Sequence, residues 1–277
     1  MTQRSFRVGA LLCAAAVSVL AMACGSSNSS TSSGGGGGGN ESFTVGLITK
    51  TDTNPFFVKM KQGAKKAAAQ NNVKLEPQSA ADALFATNNY TAGKLIGEYA
   101  KKAMAGKKPV IAMMDLNPGI TVGVLRHNGF LDGFGIPRNS PDIVCTQFTQ
   151  GDLAKGQAAM QNCLQKNPNI NLVYSINEPS GLGAYNAMQK AGKKALLVSV
   201  DGGCTGVKAV QAGKIAATSQ QYPLKMASEG VNAIVGVVRK NEKVSGYHDT
   251  GVNLITAKPM SGVPSKSVQF GLANCWG

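Results

Sequence analysis

Short apolar runs alternate along this chain with stretches in which apolar residues recur every three or four positions. Runs typical of strands buried on both faces occupy residues 44–48, 110–114, 143–147, 172–176, 196–200 and 215–219. The helical spacing predicts helices at residues 55–69, 91–105, 124–135, 153–165, 181–190, 207–212 and 224–240. Shorter strands are predicted at residues 73–75, 83–86 and 252–256. Because strands alternate regularly with helices, the pattern predicts an α/β fold with parallel sheets flanked by helices.

The first strand and helix of this pattern enclose a polar turn. Pro55 suits the first turn of a helix, so the turn ends there. In parallel α/β sheets, ligands bind beyond the carboxyl ends of the strands. Asn54, Phe56 and Phe57 are therefore expected at the mouth of a site, although two adjacent aromatic residues at a helix start could equally fill the core.

The N-terminus has the features of an export signal. Arg4 and Arg7 precede an apolar stretch over residues 8–22, which is short for a membrane-spanning helix and ends in small residues. We therefore expect residues 1–23 to be a signal peptide and the chain to be exported to the cell envelope.

A cysteine and a flexible segment follow the expected cleavage point. Cys24 stands where the lipobox of bacterial lipoproteins has its acylated cysteine, although Ala21 departs from the leucine preferred there. Residues 25–40 are rich in Gly and Ser and contain no core-forming residue. We expect Cys24 to carry a lipid anchor and residues 24–42 to be its linker; cleavage by an ordinary signal peptidase is the alternative.

The charge of the chain is strongly basic, with 28 Lys and Arg against 14 Asp and Glu, a formal net charge of +14. Such a balance is compatible with binding to nucleic acid, with an anionic membrane surface, or with solvated helix faces. The lysines are scattered in pairs and no basic patch interleaved with aromatic residues occurs, so nucleic acid is not an expected partner.

Motifs of catalysis, cofactor binding and metal binding are weak in this sequence. Residues 180–183 form only a fragment of a dinucleotide loop, and neither a Walker loop nor a GxSxG motif is present. His127 and His248 have no nucleophile beside them in sequence, and no CxxC pair suggests zinc. Asp201, at a strand's carboxyl end, could serve as a base, but the sequence places no partner for it. We expect no enzyme, no cofactor and no metal.

Several stretches resemble the periplasmic sugar-binding proteins of ABC importers, of the ribose- and fructose-binding type with the type I periplasmic binding fold. They include TVGLITKTDTNPFFVKMKQGAKKA, ATNNYTAGKLIGEYAKK, VLRHNGFLDGFGI, NLVYSINEPSGLGAYNAM, LLVSVDGGCTGVKAVQAGKIAATSQQYPLKMA and DTGVNLIT. The resemblance implies two α/β lobes, joined by three crossovers, that close on a sugar. It places residues 43–108 and 222–252 in the first lobe, and residues 109–221 and 253–277 in the second.

The same resemblance implies a set of sugar contacts. From the first lobe they are Asn54, Phe56 and Phe57, and from the second lobe and its hinge Arg126, Asn177, Asp201 and Gln221. Amides, guanidinium groups and carboxylates bind adjacent sugar hydroxyls in pairs, and aromatic faces cover the apolar side of a sugar ring. Thr87 is a weaker match, and Asn88 stands where the family usually has an aspartate.

A section of the family pattern is missing between Leu75 and Ala83. Only the residues EPQSAAD stand where the family has further helix and strand, including an aspartate that binds sugar. About two βα units of roughly 30 residues each are therefore absent from the first lobe. The expected function is the sugar-binding lipoprotein of an ABC importer. The alternative is a lipid-anchored sensing or interaction module that has lost transport through this deletion.

Four cysteines remain in the exported part, and four cysteines permit three disulfide pairings. Cys145 lies in a predicted strand and Cys163 in the helix expected to return onto it, so we predict the pairs Cys145–Cys163 and Cys204–Cys275. The expected partners are a monosaccharide, the permease subunits of an ABC importer, and a membrane reached through the lipid anchor. The expected state is a monomer, periplasmic or on the outer face of the cytoplasmic membrane.

Overall fold

The structure, a computed structural model, describes residues 43–47, 55–77 and 83–277. Its helices are α1 (Pro55–Gln70), α2 (Asn89–Ala103), α3 (Thr121–Phe134), α4 (Leu153–Lys166), α5 (Glu178–Lys190), α6 (Cys204–Gln211), α7 (Pro223–Lys240) and α8 (Val268–Asn274). Its strands are β1 (Thr44–Leu47), β2 (Lys74–Pro77), β3 (Ala83–Ala86), β4 (Ile111–Asp115), β5 (Ile143–Phe148), β6 (Leu172–Ser175), β7 (Leu196–Asp201), β8 (Ala217–Gln220), β9 (Gly246–Asp249) and β10 (Asn253–Thr256).

The larger part of the fold is a six-stranded sheet in the order β10-β8-β7-β6-β4-β5. Its pairings are parallel except for β10, which runs antiparallel to β8. The central strands β4, β6, β7 and β8 are buried on both faces. The apolar runs of β4, β6 and β7 predict this burial, whereas β8 is mostly polar, with the sequence ATSQ. One face is covered by α4, α5, α6 and α8, and the other by α2 and α3.

Helices α2 and α3 cross closely enough to require glycine at their contact. A methyl group on Gly93 would lie 2.0 Å from the backbone oxygen of Arg126, and one on Gly129 would lie 2.1 Å from that of Tyr90. These glycines let the two backbones touch, so α2 fixes the part of α3 that carries Arg126.

The position of α2 differs from the expected division of the chain. Residues 43–108 were expected in the first lobe, but Ile96, Tyr99 and Ala100 of α2 are buried in the core of the six-stranded sheet. The apolar side of α2 packs on α3 and on β7 and β8. The part of residues 43–108 from α2 onward therefore belongs with the second lobe's core.

The smaller part of the fold consists of two separate pairs of parallel strands. Strand β1 pairs with β2, and β3 pairs with β9. Helices α1 and α7 pack together beside β1 and β2, and a small core of Val45, Ala64, Ala67 and Val231 lies between them. In the described residues, β1 and β3 are not hydrogen-bonded to each other, so this part contains two sheets of two strands each.

The sequence analysis did not predict strand β9 or helix α8. Strand β9 has the sequence GYHD, with no apolar run or clear alternation, and it is defined only by its pairing with β3. Helix α8 is one of the shortest helices and ends next to the tail cysteine. Both depend on distant partners more than on local pattern.

Both predicted disulfides are confirmed. Cys145 in β5 is bonded to Cys163 in α4, with their Cα atoms 5.6 Å apart. Cys204 at the start of α6 is bonded to Cys275 after α8, with their Cα atoms 4.9 Å apart. The second bridge fixes the C-terminal tail against the turn that follows β7. Within the described residues, no helix has the length and apolar character needed to cross a bilayer.

Candidate functional site

Polar side chains converge at the carboxyl ends of three neighbouring strands. Asn177 follows β6, Asp201 ends β7, and Gln221 follows β8. Arg126 reaches the same edge from α3. All four residues are buried, with 3–7% of their surface exposed. The sequence predicted each of them at a strand end or a helix start, and the structure brings three of them into direct contact.

Arg126 is the centre of this cluster. Its Nη2 donates to Oε1 of Gln221 at 3.1 Å, and its Nη1 lies 3.4 Å from Oδ1 of Asp201. Nη1 also donates to the carbonyl oxygen of Ile176 at 2.9 Å, and Nε donates to Oδ1 of Asn89 at 2.8 Å. The planar guanidinium thus fixes groups from four segments at once, as its forked donors allow.

Asp201 is held in an unusual backbone conformation. Its φ of +146° lies in a region that L-residues rarely adopt, and such strain is concentrated at functional sites. Gln221 Nε2 donates to Oδ1 of Asp201 at 2.8 Å, so Arg126 and Gln221 both contact the same carboxylate oxygen. The cluster therefore presents a carboxylate that is oriented before any ligand arrives.

Asn177 has fewer free hydrogen-bonding positions than the resemblance implies. Its Oδ1 accepts from the backbone N–H of Ser180 at 3.2 Å and from the Ser180 hydroxyl at 2.8 Å, which makes it the N-cap of α5. Its Nδ2 donates to the carbonyl oxygen of Gly151 at 2.9 Å. In the part of the chain that the structure describes, the second N–H of this amide has no partner and could bind a ligand.

Aromatic side chains connect this cluster to the first lobe. Trp276 Nε1 donates to the carbonyl oxygen of Gln221 at 2.9 Å, and the Trp276 ring lies edge-on to Phe56 with centroids 5.4 Å apart. Phe56 and Phe57 are also edge-on, at 5.1 Å. Phe56 and Phe57 therefore lie on the same side of the fold as Gln221. The alternative that they only fill the core is not favoured, since both are half-buried at the start of α1.

The remaining predicted residues have mixed outcomes. Asn54 and Cys24 lie outside the described residues. Thr87 is buried, and its hydroxyl has no hydrogen-bond partner among the described residues. Asn88 is the N-cap of α2, accepting from the backbone N–H of Thr91. The sequence analysis did not name Asn89, which accepts from Arg126. Its position in the first turn of α2, directly after Thr87 and Asn88, was the available signal.

The sequence model of the periplasmic binding protein domain matches residues 73–242, which is more than half of the chain. The chain belongs to the periplasmic binding protein family. Structural neighbours agree with the fold. A solute binding protein of Actinobacillus succinogenes with bound D-allose superposes with a TM-score of 0.67 at 23% identity, covering 78% of this chain and 97% of the other. One of Agrobacterium radiobacter in complex with D-arabinose gives 0.65 at 21%, covering 80% and 96%.

Named relatives of this periplasmic binding protein include an import binding protein for ribose and a periplasmic protein that binds D-allose. The ribose import binding protein RbsB of Salmonella typhimurium is 29% identical over 271 residues, covering 76% of this chain and 90% of the relative. The D-allose-binding periplasmic protein of Escherichia coli is 27% identical over 165 residues, covering 59% and 53%. The family consists of binding proteins, and this chain is not an enzyme.

The alignment with the ribose import binding protein also shows that fewer residues of this chain than of the relative are aligned. It extends over 271 positions, whereas 76% of the 277 residues here is about 210. About 60 aligned positions of that relative therefore face no residue of this periplasmic binding protein, close to the length of two βα units.

Burial changes the acidity of two carboxyl groups at the site. Burial and, to a smaller extent, the neighbouring charge of Asp201 together raise the pKa of Glu178 to about 8. Burial also raises the pKa of Asp201 to about 6, although the positive charge of Arg126 opposes that rise. Both groups hold a proton more tightly in the folded protein than in the unfolded chain.

The stability of this periplasmic binding protein is therefore expected to fall as the pH rises. For a carboxyl group with a raised pKa, the stabilisation is complete below its unfolded pKa and is lost as the pH passes its folded pKa. The window runs from about pH 4 to the folded values of about 6 and about 8. Urea unfolding with the disulfides intact should give a free energy of unfolding lower by a few kcal/mol at about pH 8.5 than at about pH 5. A free energy that stays constant or rises over this window contradicts the account.

Proposed function

We propose that this chain is the substrate-binding protein of an ABC sugar importer, which binds a monosaccharide between its lobes and delivers it to the permease. The observation that carries the proposal is the buried Arg126–Asp201–Gln221 cluster at the strand ends. Support for the sugar as ligand also comes from relatives named for ribose and allose. The ligand class we propose is a pentose or hexose of the ribose or fructose type.

The chemistry of the cluster suits sugar hydroxyls. A carboxylate accepts from two adjacent hydroxyls, a guanidinium donates to two, and an amide does one of each. Asp201 is already oriented by Arg126 and Gln221, so binding requires little reorganisation. Phe56 and Phe57 are proposed to contact the apolar side of the ring, and Asn54 to bind hydroxyls from the first lobe.

A second function is favoured by the division of the first lobe into two small sheets. Isolated pairs of strands are only marginally stable, and the missing section would have supplied a further sugar-binding aspartate. If the first lobe no longer closes on a ligand, the chain serves as a lipid-anchored sensing or interaction module. We expect the shortened lobe to weaken sugar binding, by about 10- to 150-fold for the lost aspartate alone.

The anchoring and placement of the chain are part of the same proposal. Cys24 carries the lipid, residues 24–42 form the tether, and the binding domain is a monomer at the cell envelope. Support comes from the small residues before Cys24 and the Gly/Ser-rich sequence after it. Replacing Cys24 with Ala should move the protein from the membrane fraction to the soluble fraction; an unchanged distribution contradicts the anchor.

Sugar binding can be followed through the single tryptophan of the chain. Trp276 contacts both Phe56 and Gln221, so a sugar in the cleft should change its fluorescence. D-ribose, D-allose, D-arabinose and D-fructose are titrated separately, with an uncharged polyol as the control. A saturable change with one of the sugars supports the receptor function, and no change with any of them favours the second function.

The Asp201→Ala variant tests the site assignment. Removing the carboxylate should weaken sugar binding by about 1.5–3 kcal/mol, because hydrogen bonds to a charged group contribute that much. The Asp132→Ala variant is a suitable control, since Asp132 accepts only from the exposed Tyr90 hydroxyl among the described contacts. Normal sugar binding by Asp201→Ala, or its global unfolding, would show that the assignment is wrong.

A further inference from the structure

Glu178 is a buried carboxyl group to which the proposed function gives no part. It directly follows Asn177 and is the first residue of α5, with 4% of its surface exposed. It accepts three hydrogen bonds: from Gly202 N at 2.8 Å, from Gly203 N at 3.0 Å and from the Thr218 hydroxyl at 2.7 Å. Among the described residues, no Lys or Arg forms an ion pair with it, so these three donors hold the group in place.

The space around Glu178 is built from glycine. A methyl group on Gly206 in α6 would lie 1.8 Å from Cδ of Glu178, so any side chain there would expel the carboxyl group. Gly202 has a φ of +71°, a conformation that favours glycine. A Cβ atom added to Gly203 would lie 3.4 Å from Oε2 of Glu178. In the turn after β7, the backbone N–H groups of Gly202 and Gly203 therefore both point toward the carboxyl group of Glu178.

The residue before this turn is Asp201, whose backbone is itself strained at a φ of +146°. Strained residues persist only where their surroundings hold them. The backbone of Glu178 also hydrogen-bonds to Asp201 and stabilises its ionised form. Glu178 therefore contacts Asp201 with its backbone and the next two residues with its side chain.

We propose that Glu178 is a positioning residue of the sugar site: its carboxyl group holds the turn at Gly202 and Gly203 and thereby fixes the carboxylate of Asp201 in the cleft. This inference rests on the proposed function, because it gives Glu178 a part in sugar binding that acts through Asp201. It also links two proposed sugar contacts, since Asn177 precedes Glu178 and Asp201 precedes the turn.

Two charged groups determine how the pH affects this arrangement. Asp201 faces Glu178, and Arg126 faces Asp201 from the other side. The Glu178 carboxyl group is ionised above about pH 8 and then accepts all three hydrogen bonds as an anion. Its effect on Asp201 is therefore expected to be strongest there.

The test is a double-mutant cycle on the full exported chain, with sugar affinity measured at about pH 9 by Trp276 fluorescence. Glu178→Gln preserves the shape but places an amide NH₂ against the donors, so sugar affinity should fall at least about tenfold. In the Asp201→Asn background the same change should cost less than about twofold, because the group that Glu178 positions is already altered. Glu98→Gln, which removes only the charge that pairs with the exposed Lys94, should leave affinity unchanged in both backgrounds.

Each outcome of the cycle decides the inference. An unchanged affinity in Glu178→Gln, or the same loss in both backgrounds, overturns it while leaving sugar binding intact. If the wild type binds none of the four sugars, the proposed function and this inference both fail. If Glu178→Gln does not fold, Thr218→Val removes one of the three hydrogen bonds alone. Its affinity should fall several-fold in the wild-type background only, and an unchanged value overturns the inference.

Discussion

The backbone amides of β1 are expected to exchange with deuterium at least about a hundred times faster than those of β7. Strand β7 lies between β6 and β8 in the six-stranded sheet and is buried on both faces. Strand β1, in the described residues, is hydrogen-bonded only to β2. The two strands therefore differ in the number of neighbours and in the core that protects them.

The reason for the difference is the size of the first lobe. Its core between α1, α7 and the β1–β2 pair contains mostly alanine and valine, whereas the second lobe buries Tyr99, Phe130 and Tyr174. Small sheets bury too little apolar surface to be stable alone, and exposed strand edges are avoided in natural proteins. We therefore expect the first lobe to open locally without unfolding of the second.

Hydrogen exchange measured by mass spectrometry with peptide resolution distinguishes local opening of the first lobe from unfolding of the whole domain. Strand β10, at the edge of the six-stranded sheet, is the control for edge position alone and should be protected more than β1. Equal protection of β1 and β7 would show that the shortened lobe is complete and stable.

The Arg126→Ala variant is expected to lose about 3–5 kcal/mol of stability and all measurable sugar binding. Removing the guanidinium leaves the buried Asp201 carboxylate without its cation and Gln221 without a donor. It also leaves the carbonyl oxygen of Ile176 and the amide oxygen of Asn89 without the donor that Arg126 supplies. Breaking a buried ion pair on one side costs more than the pair contributes, because an uncompensated charge remains.

Urea unfolding measures the loss of stability in Arg126→Ala, and sugar titration measures the loss of binding. Arg126→Lys keeps the charge but lacks the planar fork, so both losses should be intermediate. Arg138→Ala is the matched control, since Arg138 donates to the exposed side chain of Asn128. Wild-type stability in Arg126→Ala would contradict the central place given to this residue.

The second lobe could be predicted from the sequence because its pattern is local. Strands β4, β6 and β7 are apolar runs, and helix caps such as Asp152 and Asn177 accept from backbone N–H groups as their residue types allow. Strand β9 and the lobe assignment of α2 could not be predicted in this way. Strand β9 exists through its pairing with β3, and α2 has an apolar side that would suit either lobe.

The resemblance named residues of the candidate site but not their contacts with one another. It implied Arg126, Asp201 and Gln221 as sugar contacts, and the structure joins these three side chains in one hydrogen-bonded cluster. Asn89 and Glu178 were missed because each acts on a residue far away in sequence. No local pattern distinguishes a helix-start asparagine or glutamate that caps its own helix from one that holds a distant side chain.

Titration calorimetry of the full exported chain against D-ribose, D-allose, D-arabinose and D-fructose tests the central claim most directly. The account predicts one-site binding of one of these sugars with a dissociation constant weaker than about micromolar, because the second-lobe cluster is intact and the first lobe is shortened. The Asp201→Ala variant should bind the same sugar about 10- to 150-fold more weakly under the same conditions. No saturable heat with any of the four sugars at concentrations up to about tens of millimolar would contradict the claim that this chain is a sugar receptor.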